Sequence, residues 1–248
     1  MSNQCLVELK DVSFSWADQK EAILAIEFLS IAKGEHVFIS GDSGSGKTTL
    51  LNLLCGIHQA QSGSITVLGQ NLNQLSSQKR DSFRGDHLGV IFQQFNLLPF
   101  LSVKENIELP IRFSMKRFSK SNIIDDEIPR LLAALDLPQT LIDKKVTQLS
   151  VGQQQRVAAC RALLGAPELI IADEPTSALD RNNSDNFLQL LFKEADANGS
   201  TIIFVSHDEI TAQHFTRVVE LTDINKAMPD SIKATIKATT ASNRSLNS

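Results

Sequence analysis

The stretch Gly41-Asp42-Ser43-Gly44-Ser45-Gly46-Lys47-Thr48-Thr49 constrains this chain more than any other feature. It follows the apolar run Val37-Phe38-Ile39 and leads into Leu50-Leu51-Asn52-Leu53-Leu54, whose spacing fits a buried helix face. Strand, glycine loop and helix in that order are the context in which G-x-x-x-x-G-K-[ST] binds phosphate. Gly41, Gly44 and Gly46 open backbone torsions closed to other residues, so successive N–H groups can converge on one anion. Asp42, Ser43, Ser45 and Thr49 complete that cradle, and the new helix adds its positive N-terminal end. Lys47 is placed to reach the β- and γ-phosphates of a nucleotide, and the Thr48 hydroxyl to coordinate Mg²⁺.

A phosphate loop does not by itself select a class of nucleotide-binding protein. Further along stand Leu149-Ser150-Val151-Gly152-Gln153-Gln154-Gln155-Arg156, then Leu169-Ile170-Ile171-Ala172-Asp173-Glu174-Pro175 and Ser177-Ala178-Leu179-Asp180. Ser150 with Gln153 three residues on is a capping-box pattern that opens a helix through Val157, Cys160 and Leu163-Leu164. That helix presents its N-terminus, unobstructed at Gly152, to whatever lies in front of it. In this order the motifs resemble the nucleotide-binding subunit of the ATP-binding cassette (ABC) family, from about Leu6 to Leu221. The wording of Phe92-Gln93-Gln94-Phe95-Asn96-Leu97-Leu98-Pro99 looks most like its macrolide-export and lipoprotein-release branch.

The resemblance implies an α/β fold: a P-loop NTPase core with a mostly parallel sheet, an antiparallel β subdomain and an inserted α-helical subdomain. Residues 1–224 would form one ATPase domain, the helical insertion covering about 94–165. It implies ATP and Mg²⁺ as cofactors, with Thr48, Gln93 and Asp173 around the metal. Glu174 would be the catalytic base, a helix-capping or purely water-positioning carboxylate being the other readings. His207 would hold the γ-phosphate and contact the neighbouring subunit's loop around Asp180. Gln93 would approach the metal and the attacking water, with Gln94 as competitor. Ser150, Gly152 and Gln153 of one chain would close over the nucleotide held by the other. Trp16 would stack on adenine, Phe14 being the competitor by strand alternation and GTP remaining open as a substrate.

Composition sets limits. The 248 residues suffice for one domain with an insertion. No run approaches the roughly 18–20 apolar residues of a membrane span, and Met1 to Lys10 lacks the pattern of a secretory signal. Cys5, Cys55 and Cys160 are scattered, without metal spacing, and Cys55 and Cys160, on expected buried helix faces, read as small hydrophobes in a reducing compartment. The net charge of −4 carries no nucleic-acid footprint. The expectation is therefore a homodimer at the cytoplasmic face of a membrane, working on a separate integral-membrane permease, with no nucleic acid as partner. The alternatives are a regulator of a non-transporting membrane complex, and an ABC ATPase of nucleic acids or ribosomes. Phe95 to Leu101 and Val103 to Ile107 are unusually apolar, and either core packing or a permease-docking groove accounts for them. Residues 225–248, with four cations against Asp230 alone, read as a flexible basic tail, with docking or membrane contact as the alternative.

Overall fold

A computed structural model describes residues 4–17, 21–42, 44–120 and 124–227. In chain order it contains β1 (Cys5–Phe14), β2 (Leu24–Ala32), β3 (Val37–Ser40), α1 (Lys47–Leu54), β4 (Ser62–Val67), β5 (Gln70–Asn71), α2 (Ser77–His87) and β6 (Leu88–Ile91). The insertion follows as α3 (Val103–Phe113), α4 (Met115–Lys120), α5 (Ile124–Ala134) and α6 (Val151–Leu163). The chain then returns through β7 (Leu169–Asp173), α7 (Arg181–Asn198), β8 (Thr201–Ser206), α8 (Glu209–Ala212), β9 (Arg217–Glu220) and α9 (Leu221–Ile224).

The strands form two sheets. An antiparallel sheet has the order β2-β1-β4-β5, and a five-stranded one the order β6-β7-β8-β3-β9, parallel at every pairing. Both faces are buried along β7, β8 and β3, so these strands read as short apolar runs, as expected when helices or a second sheet cover each side, while the edge strand β9 is largely open. Successive side chains point to different cores. Phe38, Ile170, Ile202 and Phe204 pack with the helical insertion. Val37, Ile39, Ile171, Ile203 and Val205 pack with α1 and the antiparallel sheet.

Three local features differ from simple pattern reading. The apolar runs Leu6–Leu9 and Val12–Phe14 belong to one strand, β1, which turns at Asp11 (φ 51°) and shifts register against β4 there. Helix α2 has no apolar stripe and no fully buried residue. It is held instead by Arg80 and Arg84, which donate to the carbonyls of Gly56, Leu75 and Cys55 at 2.7–3.2 Å. Asn225, the first residue of the expected tail, is fully buried. Its Oδ1 accepts from the amides of Ala25 and Ala227, and its Nδ2 donates to the Ile23 carbonyl. The rest of that tail, 228–248, lies outside the described residues.

Candidate functional site

Strand β3 delivers the chain into the glycine loop and α1 takes it away, so the loop amides gather at one helix start. Gly44 and Gly46 adopt φ of 81° and 99°, the left-handed torsions that the loop demands. Gly41 does not, and its role is space: a Cβ there would stand 2.7 Å from Ser45 Oγ. Ser43 lies outside the described residues. Lys47 is buried, its ammonium donating to the Gly41 carbonyl at 2.5 Å and the Asp42 carbonyl at 3.0 Å, with Glu174 Oε1 at 3.5 Å. Ser45 Oγ is buried with no hydrogen-bond partner, an orphaned donor in a loop of converging amides. A cradle of this kind fits phosphate oxygens.

The end of β7 brings two carboxylates to the same place. Thr48 Oγ1 donates to Asp173 Oδ2 at 3.2 Å. Burial and the neighbouring Glu174 hold the Asp173 carboxyl above its ordinary range, against the Thr48 hydrogen bond and Lys47. This pair of hard oxygens suits a small cation that completes its shell from water and phosphate, as Mg²⁺ does. Glu174 takes φ 44°, rare for a residue with a side chain, and its amide donates to the Val205 carbonyl at 2.8 Å. The turn points its carboxylate between His207 Nδ1 (3.2 Å) and Gln93 Nε2 (3.5 Å). Gln93 rather than Gln94 thus faces the carboxylate. Trp16 lines the same cavity as Gly44, Lys47, Thr48, Thr49 and Glu174, half-exposed and edge-on to Phe14 and His58. Its rival Phe14 is buried.

Ser150, Gly152, Gln153 and Asp180 meet at a different cavity. Ser150 caps α6 reciprocally: its Oγ accepts the Gln153 amide at 3.3 Å, and Gln153 Oε1 accepts the Ser150 amide at 3.0 Å. The Gln153 side chain is therefore turned back onto its own helix. Asp180 caps α7, and hydrogen bonds from Asn183 hold its carboxyl below the usual range. Val151 is exposed on the same rim. A Cβ on Gly152 would meet only the Leu179 side chain at an ordinary 3.6 Å. Nothing among the described residues requires glycine there.

Two residues that pattern reading passed over organise the loop after Gln93. Arg161 donates to the carbonyls of Phe95 and Asn96, and buried Asn106 bonds both the amide and the carbonyl of Leu98. The available signal was an arginine inside the otherwise apolar run from Val157 to Leu164, since arginine is seldom buried without a task.

A parallel sheet that aims a phosphate cradle and two carboxylates at one cavity defines a P-loop nucleotide-hydrolase domain. A family model described as ABC transporter matches residues 27–177, more than half of the chain, and the chain belongs to that family as an ABC-type ATPase domain. It is 40% identical over 228 residues to the macrolide export ATP-binding/permease protein MacB of Hyphomonas neptunium. That match covers 91% of this chain and 34% of the relative, so the chain spans about a third of the MacB length. An uncharacterised ABC transporter ATP-binding protein of Methanocaldococcus jannaschii is 36% identical over 88% of this chain and 94% of its own. The solved structure of that archaeal cassette, a dimer in a post-hydrolysis state bound to ADP and Pi, superposes with a TM-score of 0.77. Its identity there is 34%, over 87% of this chain and 94% of the archaeal one.

Proposed function

We propose that this domain binds ATP with Mg²⁺ and closes as a homodimer around two nucleotides at the cytoplasmic face of a membrane. Closure would drive a separate integral-membrane permease of the export or lipoprotein-release type. One observation carries the dimer: the chain holds two half-sites that do not meet. Lys47, Thr48, Asp173 and Glu174 line one cavity, Ser150, Gly152 and Asp180 line another, and the two share no lining residue. Gly152 lies in the first turn of α6, where its described surroundings leave room for a Cβ, and a neighbouring chain at close range is a reason to keep glycine there. The archaeal relative solved as a dimer is in keeping with this. The permease is inferred because no described helix is long and apolar enough to cross a membrane, while the MacB relatives are named ATP-binding/permease proteins.

In this reading Lys47 and the loop amides hold the β- and γ-phosphates, and Trp16 offers its ring to the base. Thr48 and Asp173 hold Mg²⁺, which supplies charge neutralisation on the phosphates. Glu174 accepts the proton of the attacking water, while Gln93 and His207 fix its carboxylate. Ser150 and the free amides at the start of α6 complete the partner's site. Mixing tests the arrangement: Ser150→Arg and Lys47→Ala proteins, each inactive alone, should regain ATP-driven dimerisation together, because a heterodimer has one intact site. No rescue at any ratio, with activity from a demonstrable monomer, overturns it.

A further inference from the structure

The guanidinium of Arg161 reaches from the last turn of α6 into the loop that leaves β6. Its Nη2 donates to the Phe95 carbonyl at 2.6 Å and its Nη1 to the Asn96 carbonyl at 2.7 Å. Phe95 and Asn96 have φ of 59° and 49°, two consecutive non-glycine residues in the left-handed region. Side-chain-bearing residues seldom hold that region singly, and a pair needs an outside constraint. Within the turn, Phe95 N donates to Phe92 O at 2.9 Å and Asn96 N to Gln94 O at 2.6 Å. Gln93 sits inside this turn, its amide 3.5 Å from Glu174 Oε2. Arg161 is itself buried, and among the described residues no carboxylate pairs with it. A desolvated cation answered only by carbonyls is a costly way to fill a core. Its geometry is that of a two-pronged clamp on one turn.

We propose that Arg161 is a positioning residue: by clamping the Phe95–Asn96 turn it sets Gln93 against Glu174, and it ties that contact to the helix that presents Ser150. Arg161 lies on α6 about 16 Å along the axis from Ser150. A displacement of the α6 N-terminus by the partner's nucleotide is passed through this clamp to Gln93 in the chain's own site. The proposal rests on the reading of Gln93 as a residue of the hydrolytic centre.

The full chain tests it through turnover and through separately measured affinity for a fluorescent ATP analogue. Arg161→Met should lower turnover by roughly tenfold to a hundredfold, the scale of a small misplacement in an active site, with affinity unchanged because the phosphate loop is untouched. Arg161→Lys, which keeps the charge and loses the fork, should stay slow. Asn96→Gly in the Arg161→Met background should recover most of the turnover, because glycine holds the left-handed turn unaided. Should Arg161→Met not fold, Arg161→Lys with and without Asn96→Gly gives the same comparison. Parental turnover in the Arg161 variants beside a slow Gln93→Ala overturns the clamp alone. Parental turnover in Gln93→Ala overturns the reading of Gln93 and the clamp with it. Equal losses of turnover and affinity without rescue by Asn96→Gly make Arg161 a packing residue and also overturn the proposal.

Discussion

At the scale of single residues, Glu174 concentrates the proposed chemistry. Its left-handed backbone costs on the order of 1–3 kcal/mol, and the hydrogen bond that its N–H donates to the Val205 carbonyl at 2.8 Å holds it there. The strain aims one carboxylate at Lys47, His207 and Gln93 together. Glu174→Gln preserves shape and hydrogen bonding and removes the base. Turnover should fall by on the order of 10²–10⁴, while ATP still binds and traps a stable dimer visible by size-exclusion chromatography. A variant that turns over at the parental rate would remove Glu174 from that role. Lys47, Thr48, Asp173 and Glu174 were legible in the sequence because each sits at a fixed step from a glycine or a strand end. Arg161 and Asn106 were not, because their partners are backbone carbonyls and amides brought near only by folding. An arginine within an apolar run marks a buried cation, but local spacing does not name its partners.

At the scale of elements, legibility followed apolar periodicity. The buried strands β3, β6, β7 and β8 announce themselves as short apolar runs, and α6 announces itself by its capping box. Helix α2 escaped because guanidinium–carbonyl bonds, not a hydrophobic face, attach it. The docking of Asn225 escaped for a similar reason: an amide side chain there stands in for a strand partner at the start of β2. Three hydrogen bonds depend on it. Asn225→Ala should therefore cost about 2–3 kcal/mol at roughly 1 kcal/mol per bond. That loss corresponds to a Tm lower by about 5–10 °C for a domain of this size, read by thermal unfolding. Asn225→Asp sets a buried carboxylate oxygen against the Ile23 carbonyl, so its Tm should fall at least as far as that of Asn225→Ala. A Tm for Asn225→Ala within a degree of the parent would mean that the docked segment contributes little.

At the scale of the whole molecule, apolar surface remains uncovered around the insertion. Phe100, just before α3, is 69% exposed, and Phe113 and Met115, at its far end, are 81% and 79% exposed. Part of the apolar stretch after Gln93 does serve the core, since Phe95 and Ile107 are buried. Large bare aromatics on a surface commonly mark a partner, which the proposed permease contact predicts for Phe100. Phe100→Glu should abolish co-purification with the membrane subunit in detergent while leaving the turnover of the isolated domain intact. Retained co-purification would place the contact elsewhere.

The order β6-β7-β8-β3-β9 has a consequence for how the molecule is made. Strand β3, which launches the phosphate loop, pairs with β8 on one side and β9 on the other, Val37 lying opposite Ile203 and Arg217. A ribosome emits Val37–Ser40 about 160 residues before the nearer of its two neighbours begins. At about 5–20 residues per second, the nascent chain carries an apolar strand with two vacant edges for roughly 10–30 s before either neighbour emerges. Until then the loop has no rigid strand beneath it. Nucleotide therefore cannot act as a template for the early chain, and the exposed β3 edge is where a chaperone, or a second nascent copy, would bind first.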